Sequence, residues 1–176
     1  HELNTALELR NRFIRETFGS YLSDEIVDTI LQKGGLKIAG EKRRATILMA
    51  DLRGFTSLSE RLPAEDVVAM INIYLETMTE IIQKYQGTID EFIGDGILAI
   101  FGAPILRPDD PLRAVACAVE MQLAMASVND RNRRAGYPEV ALGIGINTGE
   151  VVIGNIGSKK RIKYAVVGRA VNLTAR

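Results

Sequence analysis

The chain has 176 residues, and its 22 lysines and arginines balance 22 aspartates and glutamates. The 47% hydrophobic and 25% charged fractions are those of a globular domain with its own core. The charge balance leaves no footprint for nucleic acid or for an acidic membrane surface. A single cysteine, Cys117, excludes an internal disulfide, and its Ala/Val surroundings make it a buried small hydrophobe. The single histidine, His1, excludes a Ser-His-Asp triad, a Cys-His pair and a His/Cys zinc site. Chemistry must therefore rest on carboxylates, Arg, Lys, Asn, hydroxyls and metals held through oxygen. No apolar run approaches the roughly 18 residues of a membrane span, and no signal-peptide pattern opens the chain. The expectation is a cytoplasmic domain with no membrane contact by this segment.

Residues 1–22 read as a helical lead-in. Leu3, Leu7, Ile14 and Phe18 repeat at heptad-like intervals, as in an amphipathic helix packed on the domain or the end of a coiled coil from upstream. Residues 23–176 read as one domain. Ser23 caps a second helix over 24–33, which Gly34-Gly35 ends. Ala45 to Ala50 is a buried strand ending at Asp51, followed by a loop holding Gly54. Pro63, with Glu65 and Asp66 behind it, opens a helix whose apolar face carries Val67, Ile71, Tyr74, Met78 and Ile82. Thr88–Ile93 and Ile97–Phe101 form a hairpin with an acidic tip at Asp95. Asp109 or Asp110 opens a long helix to about Asn132. Strands are expected over 140–146 and 151–156, separated by Asn147-Thr148-Gly149, then over 162–167 beyond a basic turn. That turn carries Lys159, Lys160, Arg161 and Lys163, and a last helix begins near Ala170. The order strand-helix-strand-strand-helix-strand predicts an α+β fold with a ferredoxin-like βαββαβ core. The chain stops at Arg176 inside the first turns expected of that last helix, so further residues are expected beyond it.

Asp51 and Asp95 are the most informative residues. One ends a central strand and the other tips the neighbouring hairpin, so both reach one edge of the sheet. Two carboxylates there repel unless a cation lies between them. Oxygen ligands without His or Cys suit Mg²⁺ or Mn²⁺. Backbone N–H groups of Gly54, Phe55 and Thr56 can meet phosphate oxygens.

Four ordered motifs carry a resemblance. Asp51-Leu52-Arg53-Gly54-Phe55-Thr56, Phe92 to Gly102, Gly143-Ile144-Gly145-Ile146-Asn147-Thr148-Gly149 and Val171-Asn172-Leu173-Thr174-Ala175-Arg176 resemble the successive signatures of class III adenylyl and guanylyl cyclases. The likeness covers about residues 19–176. It implies that Asp51, Asp95 and the Leu52 carbonyl hold two divalent cations, Mg²⁺ or Mn²⁺. These would activate the ribose 3′-hydroxyl for in-line attack on the α-phosphate, with pyrophosphate leaving. It also implies that Asn172 orients the ribose and Arg176 stabilises the transition state. Both sites would be shared in a head-to-tail homodimer, Asp51 and Asp95 of one subunit facing Asn172 and Arg176 of the other. A sensor or regulatory domain upstream is a further implication.

Four residues before Asp95, at the position that reads the purine in such enzymes, stands Glu91. A carboxylate accepts from guanine N1–H and the 2-amino group, whereas adenine N1 would meet it acceptor to acceptor. The second reader is Ala165, which offers adenine no acceptor and guanine O6 no donor. GTP is therefore the expected substrate and cyclic GMP the product, with ATP as the alternative. A catalytically silent nucleotide-binding domain is the reading from another class, and the intact Asp51, Asp95, Asn172 and Arg176 set stands against it. Two departures from the family pattern are Arg169, where many relatives have Asp, and Gly143, where some have a phosphate-binding Arg. The turn that marks diguanylate cyclases, Gly-Gly-Asp/Glu-Glu-Phe, is absent.

Overall fold

The computed structural model describes residues 39–158 and 161–176; the helices expected over 1–18 and 24–33, with Lys159 and Lys160, lie outside them. The described elements are β1 (Ala39–Arg53), α1 (Phe55–Ser59), α2 (Ala64–Lys84), β2 (Thr88–Ile93), β3 (Gly96–Phe101), α3 (Asp110–Arg134), β4 (Ala141–Ser158), β5 (Arg161–Val167) and α4 (Arg169–Thr174). The sheet order is β2-β3-β1-β4-β5 with every neighbouring pair antiparallel. Its first four strands and their two helices are the expected βαββαβ core, and the domain is α+β.

One face of the sheet is covered by α2 and α3. Leu48, Ala50 and Leu52 of β1 and Ile97, Ala99 and Phe101 of β3 meet Met70, Tyr74, Met78 and Ile82 of α2 there, with Ala114, Cys117 and Met121 of α3. Burial pushes the Cys117 thiol up to about 12, with the charge of Glu120 adding to it, so this cysteine stays an inert hydrophobe. Among the described residues α3 alone is long and apolar enough by composition to cross a membrane, which the sequence reading did not anticipate. Its buried face is committed to the domain core.

The opposite face carries a second cluster built on Ala45, Ile47, Leu98, Ile100, Val151, Ile153 and Ala170. β2 and β5 stand at opposite edges of the sheet order and yet come into contact, so the sheet curls over this cluster.

Two expectations need correction. The strands over 140–146 and 151–156 are one strand, β4. Asn147, Thr148 and Gly149 have turn-like chemistry, but they pair with Ile47, Thr46 and Ala45 in a register running unbroken from Ala39↔Asn155 to Arg53↔Ala141. The Thr46 and Thr148 hydroxyls share a hydrogen bond of 2.8 Å across it. The long partner strand overrides local turn preference. The second correction concerns Gly54-Phe55-Thr56, which is no open loop. Gly54 takes a left-handed conformation (φ 69°) at the N-cap of α1, and Phe55 enters the core.

Candidate active site

β1 and β3 are in register at Ala50↔Ile97, which brings Asp51 beside the tight turn that carries Asp95. Gly94 needs its left-handed φ of 63° there. A Cβ on Gly96 would stand 3.0 Å from the Ile93 carbonyl oxygen and 3.6 Å from Asp51 Oδ1. The Leu52 N–H donates to Asp95 Oδ2 at 3.1 Å, and the Leu52 side chain is buried, so this residue meets the site through its backbone. Partial burial, a hydrogen bond with Asp95 and the Asp95 charge together raise Asp51 to about 6, against a lowering by the Leu52 backbone. Asp51 is exposed and faces the like charge of Asp95. Beneath the pair, Tyr74 of α2 is fully buried, and its hydroxyl has no hydrogen-bond partner among the described residues. Burial and the charges of Asp51 and Asp95 hold that phenol protonated.

These features fit divalent cations. Two carboxylates crowd together, a backbone carbonyl lies between them in sequence, and an unpartnered hydroxyl sits below. Among the described residues no group of three or more His, Cys, Asp or Glu side chains gathers to hold a metal. Magnesium-like ions bind through one or two carboxylates and complete their shell with water and substrate phosphates.

Asp51 opens onto a cavity of about 440 Å³ that Arg53, Ile93, Gly143, Gly145 and Arg176 also line. The place of the missing side chain at Gly143 is taken across the β1–β4 ladder: its Cβ position lies 3.3 Å from Arg53 Nε and Nη2. A guanidinium thus covers Gly143 although the residue itself is glycine. Sequence reasoning missed this because the pairing is between strands ninety residues apart.

The alternating glycines of β4 serve α4. A Cβ at Gly145 would meet the Thr174 carbonyl oxygen at 2.6 Å, and one at Gly149 would meet Ala170 Cβ at 2.9 Å. Asn147 Nδ2 donates to the Ala170 carbonyl at 3.3 Å. The motif is therefore a bed on which α4 lies against bare backbone. Asn172 is exposed on α4, and Arg176 lies two residues past its last turn, also exposed. Arg176 borders the Asp51 cavity of its own chain, whereas Asn172, Asp95, Glu91 and Ala165 do not line it.

Glu91 stands exposed on β2, and the curl of the sheet brings β5 to it. Lys163 Nζ lies 2.6 Å from Glu91 Oε2 and 3.5 Å from Asp90 Oδ2. Ala165, two residues on from Lys163 along β5, points to the same side. Sequence reading counted Lys163 with the basic turn although it fell within the strand expected over 162–167; it lies on β5, against Glu91. No local signal could have found it, because the contact joins the two edges of the sheet.

The carboxylate pair at one end of β1 and the β2–β3 turn, the glycine-bedded helix carrying Asn172 with Arg176 just past it, and the curled antiparallel sheet together define a nucleotidyl cyclase catalytic domain. The chain belongs to the adenylate and guanylate cyclase catalytic domain family, whose model matches residues 38–176. It is similar to the crystal structure of the guanylyl cyclase Cya2, at 59% identity and a TM-score of 0.76 over 78% of this chain and 70% of that one. It is also similar to the adenylyl cyclase CyaB from P. aeruginosa, at 37% identity and a TM-score of 0.75 over 79% and 72% of the two chains. An adenylate cyclase of Anabaena cylindrica is 34% identical over all of this chain and 36% of its own length. The chain thus spans about a third or less of the curated relatives it matches.

Proposed function

We propose that this domain is a guanylyl cyclase, converting GTP to 3′,5′-cyclic GMP and pyrophosphate at sites shared between two copies of the chain. The observation that carries the base assignment is the Glu91–Lys163 ion pair. Glu91 presents two acceptors to guanine N1–H and the 2-amino group. Lys163 Nζ, beside it, supplies the donor for O6 that Ala165 lacks. The row donor-acceptor-acceptor complements guanine. Adenine would set its 6-amino group against an ammonium and its N1 against a carboxylate.

Asp51 and Asp95, with the Leu52 carbonyl, would hold two ions, Mg²⁺ or Mn²⁺. When bound, these supply a lowered pKa at the ribose 3′-hydroxyl and charge neutralisation on the phosphates. Asn172 holds the ribose so that its 3′-oxygen is in line with the α-phosphorus. The new O3′–P bond forms as the bridge to the β-phosphate breaks. Arg176 donates to the charge that builds on the α-phosphate oxygens. Arg53, lying over Gly143, offers its guanidinium to the phosphates in the same cavity, and the N–H groups of Gly54, Phe55 and Thr56 flank them. Exposed apolar residues beside the site, Ile93 at 56% and Leu173 at 57%, support a second copy covering this face. The short span against the curated relatives supports a regulatory region elsewhere in a longer protein, and a cytoplasmic location would give the domain its nucleotide.

A second reading, adenylyl cyclase, has the names of the P. aeruginosa and Anabaena cylindrica relatives in its favour. A charge-reversal series separates the two. Glu91→Lys sets an ammonium against Lys163 and against the guanine donors, so GTP kcat/KM is expected to fall by roughly 10³-fold or more. Adding Ala165→Asp provides an acceptor for the 6-amino group and should move preference toward ATP further. Steady-state kinetics with both nucleotides on the three proteins check this. Undiminished GTP turnover by Glu91→Lys would remove Glu91 from base recognition.

A further inference from the structure

We propose that the β-bulge at Asp90 is a specificity device, and that Asp90 is a positioning residue that holds Lys163 against Glu91. The proposal rests on the guanine reading of Glu91 given above. In the β2–β3 ladder Ile89 opposes Ala99 and Glu91 opposes Leu98, so Asp90 is an extra residue on β2. Ala99 faces the core under α2 and α3, while Leu98 faces the cluster on the other side of the sheet. An uninterrupted ladder would set Asp90 opposite Leu98 and Glu91 opposite Ile97. Ile97 belongs to the core under the helices, so Glu91 would point there. The bulge instead turns two successive carboxylates to one side, where both reach the same ammonium.

Asp90 is poorly provided for as a structural residue. Its side chain is 1% exposed. Its Oδ1 accepts no hydrogen bond among the described residues. Burying a carboxylate with one long ion pair is costly. Burial, with the charge of Glu91 adding to it, raises Asp90 to about 6 despite Lys163. What Asp90 does achieve is confinement. The Lys163 side chain is 44% exposed and, held by Glu91 alone, would have an open path to water. A second negative charge behind it keeps Nζ between the two carboxylates, where it stands as donor beside the two acceptors.

The test is a double-mutant cycle on the full chain with Mn²⁺, comparing wild type, Asp90→Asn, Lys163→Met and the double variant with GTP and with ATP. Asp90→Asn is expected to raise KM for GTP by about tenfold, the effect of losing one charge-assisted contact, with a smaller change in kcat. The GTP-to-ATP ratio of kcat/KM should fall, while the melting temperature holds or rises because a buried charge is gone. In the Lys163→Met background Asp90→Asn should leave that ratio where it was. Equal losses on GTP and ATP with a lowered melting temperature would overturn the proposal, as would fully additive effects on the ratio. Asp90→Ser, smaller and also neutral, repeats the comparison if the Asn chain does not fold. A wild type that prefers ATP overturns the guanine reading and this proposal together; a wild type that prefers GTP with an additive cycle overturns the role of Asp90 alone.

Discussion

Replacing either Asp51 or Asp95 with Ala is expected to abolish cyclisation and leave the fold standing. Neither side chain belongs to a core cluster, so the packing they leave behind is intact. Each is one of the two carboxylates that the metal reading assigns. Losing the charge stabilisation they organise should lower turnover by roughly 10³-fold or more. Stability should move the other way. Asp51 is raised to about 6, so its ionised form is disfavoured in the folded chain. Protonation at that site stabilises the fold below the ordinary carboxylate range, and this contribution is lost as pH rises through about 6. At neutral pH without divalent ions, Asp51→Asn and Asp95→Asn should therefore melt at or above the wild-type temperature. Added Mn²⁺ should raise the wild-type melting temperature and leave those of the variants in place. Turnover close to wild type by either Ala variant at saturating Mn²⁺ would contradict the metal assignment.

Mixing Asp51→Ala chains with Arg176→Ala chains is expected to restore activity that neither has alone. In a mixed dimer with shared sites, one site gathers both lesions and the other gathers none. The geometry gives this experiment a real competitor, because Arg176 borders the Asp51 cavity of its own chain. If the two act within one chain, every site in the mixture carries a lesion. The exposure of Asn172 and Leu173 on α4 favours the shared arrangement, since a second copy would supply a surface for them to meet. Verified heterodimers that stay inactive would rule out sharing.

The elements bounded by backbone chemistry were legible in the chain. β2 came out between Gly87 and Gly94, where its turns demanded it, and α2 began beside Pro63 with its acidic first turn in place. The carboxylate pair was legible because Asp51 lies near the end of β1 and Asp95 in the turn between β2 and β3, which strand topology alone brings together. β4 was misread because Asn147-Thr148-Gly149 has turn composition, while what holds it straight is β1, a hundred residues away. Lys163, the cover of Arg53 over Gly143 and the bulge at Asp90 were not legible for the same reason. Each depends on what lies across a ladder or across the curl of the sheet. The bulge also breaks the period of two on which reading a strand relies.

As proposed, this site reads guanine. Its most direct test is kcat/KM of the unmodified protein for GTP and for ATP, each offered alone with Mn²⁺ and the cyclic product identified. The expected result is cyclic GMP from GTP at a higher kcat/KM than cyclic AMP from ATP. A higher kcat/KM for ATP would contradict the assignment of Glu91 and Lys163 as guanine readers.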